Sequence, residues 1–253
     1  MFSNGKREAM PLNTRTWAWS AGMTGTRLME RNTVDFETLL PEHYSLLVSG
    51  PPGVGKFEWF LDLTRTFLEK GERVAFVTLD LHPDEIRKRA AAQGLELEAR
   101  EGAGFLFIDG FSTGASERPE QTPSGRKVYT VSSYSNLEGL GMAISKAAAD
   151  LRPPVRVLFY SVSTLFLHNS AAAIAKFFQI VTNRVKTNIG FISYAMHEGV
   201  HDILTANLLR SLVDGVVEIR FTESMEREIR PHHLRGIPVA ARWQPFALAG
   251  GDP

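Results

Sequence analysis

The sequence predicts an α/β fold, in which a mostly parallel central sheet is flanked by helices and extended by antiparallel strands at its C-terminal end. Short apolar runs alternate with helical segments as far as residue 213, as in a parallel sheet with crossover helices. Beyond that point short strands follow one another without helices between them. A glycine-rich turn at 50–56 lies between a strand and a helix, where α/β proteins place anion-binding loops.

The individual elements follow from residue types and their spacing. Runs rich in β-branched and aromatic residues predict strands at 44–49, 73–79, 104–109, 155–160 and 189–194. Apolar residues at helical spacing, with polar or proline starts and several glycine ends, predict helices at 57–70, 83–93, 136–151, 170–186 and 202–213. Residues 110–127 lack periodicity and are expected to form a loop. Short strands are predicted at 215–222, 227–233 and 241–248.

Length and composition are consistent with one α/β domain. The chain has 253 residues, of which 43% are hydrophobic, so it can bury a full core. We place this domain at 33–253. Residues 1–32 have no firm pattern, and we expect a tail that Trp17 and Trp19 dock onto its own domain or a neighbouring subunit.

Charge, cysteine content and hydropathy exclude several classes of function. Lys and Arg number 28, as do Asp and Glu, so no global positive field favours nucleic acid or an anionic membrane. Without cysteine the chain has no disulfide, thiolate catalysis or Cys-ligated zinc. The most apolar long stretch, 161–181, is interrupted by His168, Asn169 and Lys176, and residues 1–10 lack an apolar signal core. We therefore expect no membrane span and a cytoplasmic protein.

The turn at 50–56 matches a phosphate-binding loop of the Walker A type, with one working part missing. Its residues are Gly50, Pro51, Pro52, Gly53, Val54, Gly55 and Lys56. The glycines let backbone N–H groups surround phosphate oxygens, and the lysine reaches the outer phosphates. The next position, normally a Ser or Thr whose hydroxyl holds Mg²⁺, is Phe57. The loop predicts nucleotide binding with a weakly held metal. The alternative is a Gly/Pro turn that binds nothing.

The order of the motifs resembles the KaiC-like branch of the RecA superfamily of P-loop ATPases, which includes the archaellum protein FlaH and the gas-vesicle regulator GvpD. The likeness runs from about residue 33 to residue 252. It rests on the phosphate loop and on the segments 78–86, 106–112, 156–161, 213–217, 234–236 and 245–246. The resemblance implies a RecA-like P-loop fold, ATP or ADP as ligand, and a homo-oligomer, for example a hexameric ring.

Departures from the family pattern lie at the positions that carry hydrolysis. The family has an Asp at the end of its Mg²⁺-binding strand, where this sequence has Tyr160. It has a pair of glutamates after the second strand, where this sequence has Asp80 and Leu81. By resemblance Asp80 is the candidate catalytic base, on a shorter arm. Losing such transition-state contacts costs about a hundredfold or more each, so hydrolysis is expected to be weak or lost.

A possible contact between subunits is also implied by the resemblance. In the family a C-terminal hairpin reaches the neighbouring subunit's nucleotide through a Lys-x-Arg-Gly pattern with a later His. Here the pattern reads His233, Leu234, Arg235 and Gly236, and the later position is Val239. Arg235 keeps a guanidinium suited to phosphate. The alternative places Arg235 on a solvated hairpin.

The run from His197 to His201 matches H-E-x-x-H, a zinc signature in which a helix presents both histidines on one face. Gly199 in its centre disfavours a helix, and no third ligand lies nearby in the sequence. We interpret the run as a strand-to-helix loop near the nucleotide, and we predict no metal ligands in the chain.

The function we infer from sequence is a regulatory or assembly protein that binds ATP or ADP with little or no turnover, together with a protein partner that the sequence does not identify. Two alternatives stay open. One is an active oligomeric ATPase of the same fold, with Asp80 as base. The other is a RecA-like recombination factor that binds DNA, which the zero net charge does not favour.

Overall fold

The computed structural model describes residues 39–112, 120–121 and 127–247. The predicted tail with Trp17 and Trp19 lies outside these residues. The strands are β1 Ser45–Gly50, β2 Arg73–Thr78, β3 Phe105–Asp109, β4 Glu120–Gln121, β5 Lys127–Thr130, β6 Val155–Tyr160, β7 Gly190–His197, β8 Gly215–Phe221, β9 Arg227–Leu234 and β10 Gln244–Pro245. The helices are α1 Lys56–Glu69, α2 Pro83–Ala92, α3 Leu137–Leu151, α4 Ala171–Asn188 and α5 Ile203–Ser211, with a 3-10 helix at Val162–Leu167.

All ten strands form one sheet, in the order β10-β9-β8-β1-β7-β6-β2-β3-β5-β4. The strands from β8 to β5 in that order are parallel, whereas β9, β10 and β4 pair antiparallel at the two ends. The predicted fold class is therefore confirmed. Because β1, β7, β6 and β2 are neighbours and parallel, their carboxyl ends meet at one edge of the sheet, which we call the carboxyl edge.

Helices cover both faces of the sheet. Alternate residues of one strand point to opposite faces. Leu46 and Val48 of β1 therefore belong to the core cluster that includes α1 and α2, whereas Leu47 belongs to the cluster that includes α3 and α4. Strands β1, β2, β3 and β6 are buried along nearly their whole length, as expected for a sheet covered on both sides. Among the helices that the structure describes, none combines the length and the apolar character that a membrane span requires.

The structure corrects the sequence prediction in four places. Residues 113–119 and 122–126 of the loop predicted at 110–127 lie outside the described residues, but β4 falls inside that range and pairs with β5. Strand β5 begins at the last residue of the predicted loop and pairs with β3 through Phe107 and Val128, and it was not predicted either. The strand predicted at 241–248 is reduced to the two residues of β10. The 3-10 helix after β6 was also missed. Each is a short segment whose conformation depends on neighbours distant in sequence, so local residue types carry little signal.

Candidate functional site

The glycine-rich loop joins β1 to α1 at the carboxyl edge of the sheet. Gly53 and Gly55 have φ of 76° and 98°, left-handed values that glycine adopts without strain. A Cβ on Gly50 would lie 2.3 Å from the carbonyl oxygen of Ile219, so only glycine fits there. Helix α1 starts at Lys56 without a side-chain cap. The first N–H groups of a helix have no intrahelical acceptor, so this end of α1 offers donors and a positive dipole to an anion.

Lys56 is folded back onto the loop. Its ammonium donates to the carbonyl oxygens of Gly50 at 2.7 Å and Pro51 at 2.6 Å, and the residue is only 2% exposed. Burial lowers the pKa of Lys56 to about 8, against the opposing effect of nearby carboxylates, with Glu198 first among them. The structure thus gives this lysine a packing role that the sequence did not suggest.

Two aromatic rings occupy the positions that the sequence resemblance assigns to the metal ligands of KaiC-like proteins. Phe57 and Tyr160 are 4% and 9% exposed, and their ring centroids lie 5.3 Å apart in an edge-to-face arrangement. Phe60, one turn further along α1, packs on Tyr160 at 5.7 Å. Burial raises the pKa of the Tyr160 hydroxyl, which disfavours its anionic form. Phe57 and Tyr160, which the sequence shows as two separate departures from the family pattern, are therefore a single pair of rings in contact.

Asp80 lies just after β2, beside the end of β6. Its carboxylate accepts hydrogen bonds from the Ser161 hydroxyl at 2.9 Å and from the Thr164 hydroxyl. The Nε2 atom of His197 lies 3.6 Å from the same carboxylate. Because β7 pairs with β1, His197 is opposite Gly50, which puts this cluster next to the phosphate loop. Leu81, which the resemblance aligns with the second residue of the acidic pair, packs against the hydrophobic core.

The H-E-x-x-H run is not helical. His197 ends β7, Gly199 has φ of 79°, and Asp202 caps α5, so the two histidines do not share a helix face. Within the described residues no group of three or more His, Cys, Asp or Glu side chains could hold a metal ion. His201 contacts the Ser163 hydroxyl at 2.8 Å. The run is a strand-to-helix turn beside the phosphate loop, as we interpreted it from the sequence.

A chain of ion pairs that sequence reasoning missed connects this turn with the C-terminal strands. Arg210 of α5 contacts Glu198 at 2.9 Å and Glu218 at 3.0 Å, and it donates to the hydroxyl of Ser49 at 3.1 Å. Arg230 of β9 also bonds to Glu218. No sequence pattern links these residues to one another, and the pairing of β8 with β1 and β9 brings Glu218 beside Ser49 and Arg230.

Arg235 lies at the other end of the sheet from the phosphate loop. It follows β9 and bonds to the Asp214 carboxylate at 3.0 Å, beside the start of β1 and β8. The length of β1, roughly 16 Å, separates that point from the loop. The Arg235 side chain is 73% exposed. Within one chain Arg235 therefore does not belong to the loop site.

The residues present fit a nucleotide phosphate better than they fit its usual metal. The loop supplies glycine geometry, an uncapped helix start and a lysine, all of which suit an anion. The positions that the resemblance assigns to metal ligands supply a phenyl ring and a buried phenol instead of a hydroxyl and a carboxylate. Hard cations such as Mg²⁺ take oxygen ligands. The site is therefore suited to an anion and not to a divalent cation.

The comparisons with known proteins identify a family and a fold. The model of DUF7504, a family of unknown function, matches residues 44–219. A UPF0273 protein of Thermotoga maritima is 25% identical over 215 residues, which are 83% of this chain and 86% of that protein. The UPF0273 protein MK0039 of Methanopyrus kandleri is 26% identical over 215 residues, 83% of this chain and 82% of that protein. Among solved structures, the KaiC-like protein PH0186 of Pyrococcus horikoshii matches with a TM-score of 0.64 and 16% identity, covering 84% of this chain and 89% of that chain. The KaiC-like resemblance predicted from the sequence is thereby confirmed at the level of the fold.

Proposed function

The chain belongs to DUF7504, a family of unknown function, and since its fold is KaiC-like we propose that it binds ATP or ADP at residues 50–57. Occupancy of this site, rather than turnover, is the signal. The nucleotide-bound form assembles into a homo-oligomer or presents a surface to a protein partner.

One observation carries this proposal. The phosphate-binding half of the site is retained, whereas the metal-binding half is filled by the packed rings of Phe57 and Tyr160. In phosphoryl transfer the metal bridges the phosphates and offsets the charge that develops in the transition state. A site that keeps Lys56 and the loop amides but lacks that ion can bind a polyphosphate without cleaving it.

The placement of Asp80 also supports binding without turnover. A catalytic base must be within hydrogen-bond reach of the attacking water. Both carboxylate oxygens of Asp80 already accept hydroxyl hydrogen bonds, from Ser161 and Thr164. Those bonds hold the carboxylate against β6 and the following turn.

Titration calorimetry of the full chain with ATP and ADP, with Mg²⁺ and with EDTA, tests the proposal. We expect binding that changes little on metal removal and that Lys56→Ala weakens by roughly tenfold or more, since a charged hydrogen bond to phosphate is lost. Wild-type protein that binds neither nucleotide would refute it. Binding that disappears with EDTA would refute the metal-independent part.

Phosphate release separates this function from the alternative of an active ATPase. We expect no steady-state release above background from wild type. Release that Lys56→Ala abolishes would identify true turnover, because the variant controls for a contaminating ATPase. In that case Asp80, kept beside Ser161, becomes the candidate base.

A further inference from the structure

A nucleotide bound without metal needs another source of positive charge. Phosphate-loop enzymes offset the charge of the β and γ phosphates with a lysine and Mg²⁺. Here Phe57 and Tyr160 stand in place of the metal ligands. The carboxylates of Glu58 and Asp80 also interact electrostatically with Lys56 and with the Tyr160 hydroxyl. Without another cation, the single positive charge of Lys56 would have to offset both the phosphates and these carboxylates.

Arg89 of α2 places a second cation beside the aromatic pair. Its Cζ atom lies 5.5 Å from the centroid of the Phe57 ring. Its charge also acts on the Tyr160 hydroxyl, opposing the effect of burial on that group's pKa. Phe57 directly follows Lys56, so the guanidinium lies against a side chain of the first turn of α1, the helix whose start has no side-chain cap.

The interactions that hold Arg89 in place are weak. Its Nε donates to Glu85 at 2.8 Å, one turn earlier on α2, and both side chains are nearly half exposed. An exposed pair at this spacing contributes little to stability. The guanidinium can therefore turn from Glu85 toward a phosphate without leaving a buried group unpaired, and it stays charged at all physiological pH values.

We propose that Arg89 is the counter-charge that replaces the divalent cation, so that the loop takes metal-free ATP or ADP. This inference rests on the proposed nucleotide binding. A guanidinium binds two phosphate oxygens at once, which a lysine does not do. Arg89 should therefore favour a triphosphate or diphosphate, whose outer phosphates extend past Lys56, over a monophosphate.

Calorimetry with ATP in EDTA, using wild type and Arg89→Gln, tests this proposal. Arg89→Gln should weaken metal-free ATP about tenfold or more, as expected for a lost charged hydrogen bond. The matched control is Lys127→Gln. Lys127 is also exposed, forms an ion pair with Asp150 and lies over the ring of Tyr129. It is the first residue of β5, at the edge of the sheet opposite the carboxyl edge. The control should bind ATP as wild type does.

A second background guards against indirect effects. In Phe57→Thr/Tyr160→Asp, where Mg²⁺ regains oxygen ligands, the loss caused by Arg89→Gln should shrink when Mg²⁺ is added. Arg89→Lys, which keeps the charge, should lie between wild type and Arg89→Gln.

The outcomes separate the two proposals. Wild type that binds ATP in EDTA, with Arg89→Gln equal to Lys127→Gln, overturns the role of Arg89 and leaves nucleotide binding intact. Wild type that gains tenfold or more in affinity on addition of Mg²⁺ also overturns it, because the cation would then not have been replaced. Wild type that binds no nucleotide overturns both.

Discussion

Lys56 is a buried cation whose ammonium group donates hydrogen bonds to carbonyl oxygens of its own loop. Its pKa of about 8 in the folded protein, against an ordinary value of 10.5, reflects desolvation. Between these two pH values the unfolded chain binds more protons at this position than the folded chain. The contribution of Lys56 to folding stability therefore rises as pH rises through that window.

Nucleotide binding should show the opposite pH dependence. A phosphate favours the charged form of Lys56, so above pH 8 binding must take up a proton. We expect metal-free ATP affinity to fall about tenfold per pH unit between pH 8.5 and 10. Calorimetry in buffers of different ionisation enthalpy would detect the proton directly. Lys56→Arg, which stays charged, should bind with little pH dependence. An affinity of wild type that is flat over this range would contradict the assignment.

The rings of Phe57 and Tyr160 stabilise the fold as well as excluding metal ligands. Phe57→Thr removes a buried ring and should cost about 3 kcal/mol of unfolding free energy in urea. In a double-mutant cycle with Tyr160→Asp the two changes should couple by about 0.5–1.5 kcal/mol, because the rings are in contact.

The same double variant should make ATP binding more dependent on Mg²⁺ than wild type. It restores a hydroxyl and a carboxylate but no oriented water, so hydrolysis should remain slow. Adding Asp80→Glu and Leu81→Glu should then raise phosphate release. Additive stability changes, or a double variant indifferent to Mg²⁺, would argue against a metal position at the aromatic pair.

At the scale of the elements, Arg210 connects the turn after β7 with β8 and β9. It contacts Glu198 and Glu218, and through Glu218 it is linked to Arg230. The turn adjoins the phosphate loop, since the Glu198 N–H donates to the Gly50 carbonyl oxygen at 2.9 Å. This arrangement joins the carboxyl edge of the sheet to β8 and β9 by side-chain contacts rather than by chain connectivity.

We expect Arg210→Met to destabilise the protein by about 1.5–3 kcal/mol in urea unfolding, the range for a lost charged hydrogen bond. The loss of unfolding free energy should be smaller than for a buried carboxylate left without any partner, because Glu218 still accepts a hydrogen bond from Arg230. Arg184→Met, an exposed change on α4, should cost less than 0.5 kcal/mol. Equal values for the two variants would show that the Arg210 pairs contribute nothing.

At the scale of the whole molecule, the separation of Arg235 from the phosphate loop limits what Arg235 can do. About one strand length divides them within the chain, so a role at the nucleotide requires a second copy. The Asp214 carboxylate also accepts a hydrogen bond from the Ser45 hydroxyl and forms an ion pair with Lys186. Arg235 can therefore move away from Asp214 while that carboxylate still has partners. An exposed, releasable arginine is suited to a contact between subunits.

Nucleotide should therefore shift the protein toward a higher oligomer, and Arg235→Ala should reduce the shift while leaving the fold unchanged. Light scattering with and without ATP measures the distribution, and circular dichroism checks the fold. Arg184→Ala, another exposed arginine, serves as the control. If ATP does not change the distribution of oligomers in wild type, the proposed contact of Arg235 with a neighbouring subunit is contradicted.

Local sequence determined most of the parallel core and the loop within it. The apolar runs of β1, β2, β3 and β6 and the glycine spacing at 50–56 are specified by residues close in the chain, because strand burial and loop conformation depend on side-chain type and backbone freedom. Motif order likewise determined the KaiC-like fold. It also marked Phe57 and Tyr160 as the unusual positions.

Only the tertiary structure decided how these positions combine. Phe57 and Tyr160 are 103 positions apart in the chain, and their contact exists because the end of β6 lies beside the start of α1. The same is true of Asp80 with Ser161, of Arg89 over Phe57 and of the pairs made by Arg210. Strand β5 was missed for a related reason, since its stability comes from pairing with β3. Sheet order and register bring such residues together, and neither is encoded by the short-range periodicity from which a single sequence is interpreted.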